Sequence, residues 1–261
     1  MESSVLAVVT NYDFSTNADD LKARLAAHFE TLLVDGGSPT APRTADVVVP
    51  NLYYSGLWNE AVRLTLERRK PWLLFVASDV QISDIDLLAA CIRDVLRKKS
   101  AGIYTPSLRP DSRASYQASI CRGTGRMREC FVNEGFFFLA RTNILSRVYP
   151  IDLQRNRYGW GVDVMACWHA YRTGHQVLVD DRVTIYHPAA IHSIPAEQAL
   201  QQQMRYMSKK GKRFLKWTTR RLAREGQRRE IPRRLAARVV QFARRSAYAV
   251  IDRLAKADRS R

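Results

Sequence analysis

The stretch Trp72-Leu73-Leu74-Phe75-Val76-Ala77-Ser78-Asp79 is an apolar run that stops at two polar residues. A short apolar run without alternation is typical of a strand buried on both faces of a sheet. Val5–Thr10 and Thr31–Val34 have the same character, and they stop at Asn11 and Asp35. The chain therefore predicts a set of buried strands, each followed by a polar residue.

Helical patterns separate these strands. Leu21, Leu25 and Phe29 recur at every fourth position, which is the spacing of a helix that packs one face on a sheet. Strands that alternate with helices predict βαβ units, an α/β fold and a mostly parallel central sheet. The remaining predicted helices cover 57–69, 84–97 and 164–173, and the remaining predicted strands cover 46–49, 102–106, 135–139, 176–179 and 183–186.

Four polar residues follow predicted strands: Asn11, Asp35, Asn51 and Asp79. In open parallel sheets the loops at the carboxyl ends of the strands form the ligand crevice, because the crossover helices cover both faces. Asp and Asn are also the usual turn formers after strands, so no single one of these residues indicates a site. Their joint placement predicts a binding site at one rim of the sheet.

The charge of the chain is concentrated at one end. The formal net charge is +17, but residues 208–261 carry a net +15 and residues 1–207 only +2. We therefore predict two parts, a nearly neutral catalytic domain over 1–207 and a basic tail over 208–261. The asymmetry disfavours a nucleic-acid-binding function for the body.

The cysteines and the amino terminus indicate a cytosolic protein. Cys91, Cys121, Cys130 and Cys167 are widely spaced, so neither a zinc knuckle nor a redox pair is indicated. Residues 1–20 lack the pattern of a signal peptide, and no apolar run approaches the roughly 20 residues of a spanning helix.

The order of motifs resembles that of the family 2 glycosyltransferases, which are inverting enzymes with a GT-A fold. The resemblance spans about residues 5–188, and its specificity lies in five motifs that occur in the family's order. These are Val34-Asp35-Gly36-Gly37-Ser38, the Asn51–Asn59 segment, Phe75-Val76-Ala77-Ser78-Asp79, Gly159-Trp160-Gly161-Val162-Asp163 and Ile185-Tyr186-His187.

The resemblance implies a nucleotide-sugar donor held at the strand ends. Asp35 would accept hydrogen bonds from the base or ribose, and Asn51 and Asn59 would help to hold the nucleotide. Asn11 and Ser78, at the same rim, are assigned to the donor as well. Two alternatives remain: Asp35 could form an Asx-turn with the glycines after it, and Asn59 could be an exposed helix residue.

The resemblance also implies a divalent metal, Mn²⁺ or Mg²⁺, bound by Asp79 and His187. Hard oxygen ligands suit these ions. Ala77 occupies the position of the first acid in the family's Asp-x-Asp motif, which leaves Asp79 as the acidic ligand. Alternatively, Asp79 ends a strand or caps a helix, and His187 is an ordinary hydrogen-bonded histidine.

Asp163 is the candidate general base for the acceptor hydroxyl. A carboxylate within hydrogen-bond reach can take the proton as the hydroxyl attacks the anomeric carbon. Trp160 offers an apolar face for a sugar ring, and Gly161 allows a close approach of the acceptor. Asp163 could instead serve as the N-cap of the helix that follows it.

Residues 109–130 are rich in Arg, Ser and Gly and predict a mobile loop over the site. One or two of its arginines could clamp a diphosphate through bidentate hydrogen bonds. The candidates are Arg109, Arg113, Arg122, Arg126 and Arg128.

The basic tail mixes aromatic and aliphatic residues with lysine and arginine at helical spacing. Such helices lie on anionic membrane surfaces. We therefore predict a cytoplasmic enzyme, peripheral on the inner face of the cell membrane, that glycosylates a glycan or lipid-linked acceptor of lipopolysaccharide or capsule. The alternatives are a nucleic-acid-binding protein, a nucleotidyltransferase and an inactive GT-A scaffold.

Overall fold

The computed structural model describes residues 4–112, 123–188 and 194–227, which form nine strands and seven helices. The strands are β1 (Val5–Asn11), β2 (Glu30–Asp35), β3 (Val47–Val48), β4 (Trp72–Ala77), β5 (Gln81–Ile82), β6 (Ala101–Leu108), β7 (Met127–Glu129), β8 (Phe137–Arg141) and β9 (Gln176–Tyr186). The helices are α1 (Ser15–Ala26), α2 (Tyr53–Glu67), α3 (Ile85–Leu96), α4 (Thr142–Leu145), α5 (Val162–Arg172), α6 (Ala196–Tyr206) and α7 (Lys209–Gln227).

All nine strands join one sheet in the order β3-β2-β1-β4-β8-β6-β9-β5, with β7 on β9. β1 is parallel to β2 and β4, β2 is parallel to β3, and β6 is parallel to β9. β8 is antiparallel to both of its neighbours, β4 and β6. Six strands therefore run one way, and the prediction of a mostly parallel α/β sheet is confirmed.

The registers bring the predicted polar residues to one rim. Thr10 of β1 pairs with Val34 of β2 and with Ala77 of β4, so these strands end at the same level. Asn11 lies opposite Asp35. The interiors of β1, β4, β6 and β8 are buried throughout, as expected for strands covered on both faces of a sheet.

The helices follow the predicted spacing closely. Leu21 and Leu25 are the buried face of α1, and the Asp84 carboxylate caps α3 by accepting a hydrogen bond from the Leu87 N–H. No helix among the described residues is long and apolar enough to cross a membrane.

Two segments differ from the sequence-based expectation. β7 is a strand inside the predicted loop over 109–130, and residues 113–122 of that loop lie outside the described residues. β9 continues through 176–186 where two strands were predicted, and a register shift opposite Pro106 and Ser107 accommodates the polar residues between them. Hydrogen bonding of β9 to β6, β7 and β5 outweighs the interruption of the apolar pattern.

The chain divides into two compact units, 1–212 and 213–261. The division falls inside α7, so the basic segment begins as a continuous helix. Residues 228–261, which include the second half of the predicted tail, lie outside the described residues.

Candidate active site at the sheet rim

Asn11 and Asp35 form a closed hydrogen-bond network at the ends of β1 and β2. The Asn11 side-chain amide donates to Asp35 Oδ1 (2.8 Å) and to Ser38 Oγ (3.0 Å). Asp35 also accepts from the Gly37 N–H (3.1 Å), the Ser38 N–H (2.9 Å) and the Ser38 hydroxyl (2.6 Å). Both Asn11 and Asp35 are fully buried.

These contacts make Asp35 the anchor of the 36–38 loop. Four hydrogen bonds saturate a carboxylate that accepts about four in total. The Asx-turn left open as an alternative is therefore present. Donor binding by Asp35 and Asn11 stays a prediction, and the loop that they hold is the part of this network nearest to solvent.

Asp79 lies in a tight turn immediately after β4. The Val80 N–H donates to the Ala77 carbonyl (3.1 Å), and the Ala77 N–H donates to the Phe136 carbonyl (2.8 Å). From α1, the Asn17 amide donates to the carbonyls of Ser78 and Val80, which flank Asp79 on both sides. The turn is therefore fixed from two directions, with the Asp79 side chain at its tip.

The short antiparallel pairing of β5 with β9 carries His187 to Asp79. Gln81 lies opposite Tyr186, so the residue after Tyr186 meets the residues before Gln81. His187 Nε2 is 3.3 Å from Asp79 Oδ2. The imidazole stacks on the Phe136 ring, with ring centroids 3.9 Å apart and an interplanar angle of 3°. The two predicted metal ligands are thus brought together.

The donor atoms of the Asp79–His187 pair fit a divalent cation. Asp79 Oδ1 is buried and has no hydrogen-bond partner among the described residues. A buried carboxylate oxygen without a partner is costly, and a cation would satisfy it. Within the same ranges no third His, Cys, Asp or Glu joins the pair. The donor set therefore fits an ion that takes its other ligands from phosphate oxygens and water.

Asp163 lies in the first turn of α5, where its Oδ1 accepts a hydrogen bond from the Val164 N–H (2.7 Å). Burial raises the pKa of Asp163 to about 7, although the main-chain hydrogen bonds of Val164 and Asp163 lower it in part. Gly161, not Asp163, is the residue that precedes the helix. A carboxylate with such a pKa is poised to exchange a proton near neutral pH.

Two tyrosines missed by sequence reasoning lie near Asp163. Burial, reinforced by the Asp163 carboxylate, raises the pKa of the Tyr54 phenol and also that of the Tyr206 phenol. The Tyr54 hydroxyl donates to the Gly135 carbonyl (2.7 Å), and a Cβ at Gly159 would lie only 2.0 Å from Tyr54 Cδ1. Tyr54 therefore needs glycine at 159.

A series of contacts runs from the Asp79–His187 pair to the loop before Asp163. Phe136 stacks on His187, Gly135 accepts the Tyr54 hydroxyl, and Tyr54 packs against Gly159, four residues before Asp163. The apolar runs around these residues gave no signal for Tyr54 or Phe136, because aromatic residues in such runs are usually core.

Trp160 is among the exposed aromatic side chains, with 37% of its surface accessible. The loop that carries it is tied internally by Asn156, whose amide donates to the Trp160 carbonyl (3.1 Å) and accepts from the Gly159 N–H (3.1 Å). Gly161 has φ +84°, and a Cβ there would lie 2.9 Å from Gln203 Cγ of α6. Backbone conformation and packing account for this glycine, and its part in acceptor binding stays a prediction.

Asn51 and Asn59 are not drawn into this network. Asn51 is exposed and accepts a hydrogen bond from the Tyr53 N–H (3.1 Å). Asn59 binds the main chain of Ile151 with both ends of its amide, at 2.9 and 2.8 Å. Asn59 therefore fixes a loop behind α2, which is a role in the fold.

Of the three described arginines of the 109–130 segment, Arg109 and Arg128 are paired within the protein, and the third, Arg126, is exposed. Arg109 binds Asp111, and Arg128 binds Asp181 at 2.8 Å. Burial alone would raise the pKa of Asp181, but hydrogen bonds from Arg128 and Thr124 lower it to about 2. Arg128 thus holds β7 against β9. Arg113 and Arg122 lie outside the described residues.

No protein-family model matches the sequence, and no curated protein matches it. Solved structures do match the fold. The mannosyltransferase PcManGT from Pyrobaculum calidifontis, in complex with GDP-mannose and Mn²⁺, has a TM-score of 0.56 and 14% identity, over 94% of this chain and 75% of that chain. GalNAc-T7 with UDP, GalNAc and Mn²⁺ has a TM-score of 0.54 and 7% identity, over 72% of this chain and 44% of that chain.

A third match is glucosyl-3-phosphoglycerate synthase from Mycobacterium tuberculosis with Mg²⁺ and UDP. Its TM-score is 0.50 at 11% identity, over 77% of this chain and 75% of that chain. At such identities the likeness concerns the fold. The sheet order, the strand-end rim and these matches agree, and the chain has the GT-A fold.

Proposed function

We propose that the protein is a nucleotide-sugar-dependent glycosyltransferase of the inverting type, assisted by Mn²⁺ or Mg²⁺. The observation that carries the proposal is the Asp79–His187 pair, which leaves one buried carboxylate oxygen without a partner at the rim of a GT-A sheet. Three fold relatives hold nucleotides or nucleotide sugars with these same ions, which supports the assignment.

Asp79 and His187 would hold the cation together with the diphosphate of the donor. When bound, the cation would neutralise the negative charge that develops on the leaving diphosphate. The 36–38 loop, anchored by Asp35, would line the nucleotide, and Ser78 would lie beside it. Asn11 would act by fixing Asp35.

Asp163 would act as the general base. Its carboxylate takes the proton of the acceptor hydroxyl, the acceptor oxygen bonds to the anomeric carbon, and the bond from that carbon to the diphosphate breaks. Attack on the face opposite the leaving group inverts the anomeric centre. A pKa of about 7 matches this task, because the base must be ionised before the reaction and protonated after it.

The finer assignment is a hexosyl- or deoxyhexosyltransferase that uses a UDP, GDP or dTDP sugar. Its acceptor would be a glycan or lipid-linked precursor of lipopolysaccharide or capsule, with Trp160 stacked on a sugar ring. The enzyme would work in the cytoplasm.

The proposal is tested by calorimetric titration of the full chain with UDP, GDP and dTDP sugars, with Mn²⁺ or Mg²⁺ and with EDTA. We expect tight binding of one nucleotide class only when the ion is present. Because the protein offers two ligands, the ion alone should bind weakly and the nucleotide should strengthen it. Asp79→Asn should remove the metal-dependent part. Equal binding in EDTA, or no binding of any nucleotide, would contradict the proposal.

The basic helix α7 would hold the enzyme on an anionic membrane surface. Trp217 is 44% exposed, stacks with Phe214 and lies 5.6 Å from the Arg221 guanidinium. The cations that surround it on the helix are Arg213, Lys216, Arg220 and Arg221. An exposed tryptophan among basic residues suits the headgroup region of a bilayer.

Charge reversal in the full chain tests this location. Arg213→Glu with Arg220→Glu should release the protein from phosphatidylglycerol vesicles in co-sedimentation, because each basic residue near the surface adds about 1 kcal/mol. Lys98→Glu with Lys99→Glu, two exposed residues of the body, is the matched control and should not. Unchanged vesicle binding in the α7 variant would contradict the membrane assignment, and a loss of RNA binding instead would favour the nucleic-acid alternative.

A further inference from the structure

An aromatic and cationic surface is formed by the loop that leads to Asp163 and by the first residue of α2. We call it the platform, and it consists of Tyr53, Arg157, Tyr158 and Trp160. The Arg157 guanidinium lies 4.0 Å from the centre of the Tyr53 ring, and Tyr158 meets Tyr53 edge-on with centroids 5.2 Å apart. Tyr53 and Trp160 are each 37% exposed and Arg157 is exposed, so these three residues form the solvent-facing part of the platform, whereas Tyr158 is buried.

Tyr53 is held in an uncommon backbone conformation. Its φ is +58°, in the left-handed region that bulky residues rarely adopt. The Asn51 side chain accepts the Tyr53 N–H and so supports this conformation. This strained backbone leaves a large aromatic ring partly exposed, and such strain tends to occur at ligand sites.

Among the described residues, no carboxylate neutralises the charge of Arg157. Its side chain is exposed, and no carboxylate of the described residues lies within ion-pair distance of it. Arg155, two residues earlier on the same loop, does meet a carboxylate, that of Asp152 at 3.9 Å. Arg157 instead lies over Tyr53, and the contact leaves the edge of its guanidinium open to an anion.

The platform is rigid from behind. Gln202 of α6 accepts the Arg157 main-chain N–H (2.9 Å), and Gln198 accepts the Tyr158 hydroxyl (2.9 Å). Asn156 closes the same loop from within. A preorganised surface of this kind loses little conformational freedom when a ligand binds.

We propose that the platform is the acceptor subsite and that it selects a saccharide carrying an anionic group, a phosphate or a carboxylate. The inference rests on the proposed function in one respect, the role of Asp163 as the acceptor base. Sugar rings would stack on Tyr53 and Trp160, and Arg157 would bind the anion through paired N–H donors. A neutral sugar would leave the guanidinium unpaired.

The test is saturation-transfer NMR on the full chain in EDTA, with three probes: methyl β-glucoside, methyl β-glucuronide and glucose 6-phosphate. The anionic probes should bind about tenfold more tightly than the neutral one, as expected for one charge-assisted hydrogen-bonded contact. A preference for only one of them would assign the anion as a carboxylate or a phosphate. Equal affinity for all three probes would overturn the proposal.

Variants separate the platform from general electrostatics. Arg157→Gln should abolish the preference for the anionic probes, whereas Arg155→Gln, the matched control, should retain it. Tyr53→Asn, which suits a positive φ, should weaken all three probes. Equal losses in both arginine variants, or competition by inorganic phosphate as strong as that by glucose 6-phosphate, would overturn the proposal.

The binding of the saccharide probes is measured without the nucleotide donor, so it is tested separately from donor binding. Nucleotide titration of the same protein reports on the proposed function, and Asp79→Asn should keep its preference for the anionic probes. Donor binding without that preference would overturn the platform and leave the transferase proposal intact. The preference without donor binding would support the platform as a site for anionic saccharides, but it would refute the transferase and with it the role of the platform as an acceptor subsite.

Discussion

Asp35 ends β2 and Asp79 follows β4, the two strands that flank β1 in the sheet, yet the protein treats their carboxylates in opposite ways. Asp35 is fully buried and accepts four hydrogen bonds from Asn11, Gly37 and Ser38. Asp79 meets His187 through one oxygen, and its other oxygen is buried with no partner among the described residues. The described residues satisfy the Asp35 carboxylate completely and leave one oxygen of Asp79 without a partner.

The number of hydrogen bonds to each carboxylate distinguishes strand-end acids that build the fold from those that we assign to the proposed site. A satisfied carboxylate has little capacity for a further bond, whereas an unsatisfied one carries a desolvation cost that a bound ligand would relieve. Asp163 belongs with Asp79, because burial raises its pKa to about 7. Unfavourable groups of this kind cluster at functional sites.

The largest expected effect comes from Asp163→Asn. Loss of a general base costs typically 10²- to 10⁴-fold in rate. The initial rate of transfer should fall by about this amount, while donor affinity measured by calorimetry stays within about twofold of the parent protein. In the parent protein the rate should fall as the pH drops below about 7, because the base becomes protonated.

The control measurements for this variant show whether it folds and whether it still binds the donor. Equal loss of transfer and donor binding in a folded Asp163→Asn protein would contradict the base assignment. A rate profile flat from pH 5 to 8 would do so as well.

The next largest effect that we expect is a difference in the free energy of unfolding between the Asp35→Ala and Asp79→Ala variants. Asp35→Ala leaves buried donors without an acceptor and should lower the free energy of unfolding by about 3 kcal/mol. Asp79→Ala removes an unpartnered buried oxygen and should change it by less than about 1 kcal/mol. Urea denaturation measures both. A larger loss in Asp79→Ala than in Asp35→Ala would reverse our distinction between the two carboxylates.

The sequence predicted the elements and the rim well, for a physical reason. Buried strands such as Trp72–Ala77 are apolar whatever their partners, and their ends converge once the strands are parallel. The proximity of Asp79 to His187 could likewise be predicted, because both residues follow strands. The antiparallel direction of β8 was not, because an apolar run has the same pattern in either direction.

The sequence could not predict which polar side-chain atoms already have hydrogen-bond partners within the protein. Asn59 looked like a ligand of the nucleotide, yet its amide is used on both sides by Ile151. Tyr54 and Phe136 looked like core residues, yet they link the Asp79–His187 pair to the loop before Asp163. Which polar atoms remain open depends on long-range contacts, and these follow from the whole fold.

The smallest effect, and the sharpest test of the comparison, is the pH dependence of stability in Asp163→Asn. The pKa of Asp163 is raised from 3.8 to about 7 in the folded state, so between these values the folded protein binds more protons than the unfolded chain. Stability therefore falls as the pH rises through this window, because the folded state must then hold a buried charge. Asparagine lacks this charge, so the variant should melt a few degrees above the parent at pH 8 and close to it at pH 4, as measured by thermal unfolding. A carboxylate whose pKa is lowered by folding would give the opposite sign, with the largest loss on substitution at high pH. Melting of Asp163→Asn below the parent at pH 8 would therefore place Asp163 with the acids that build the fold.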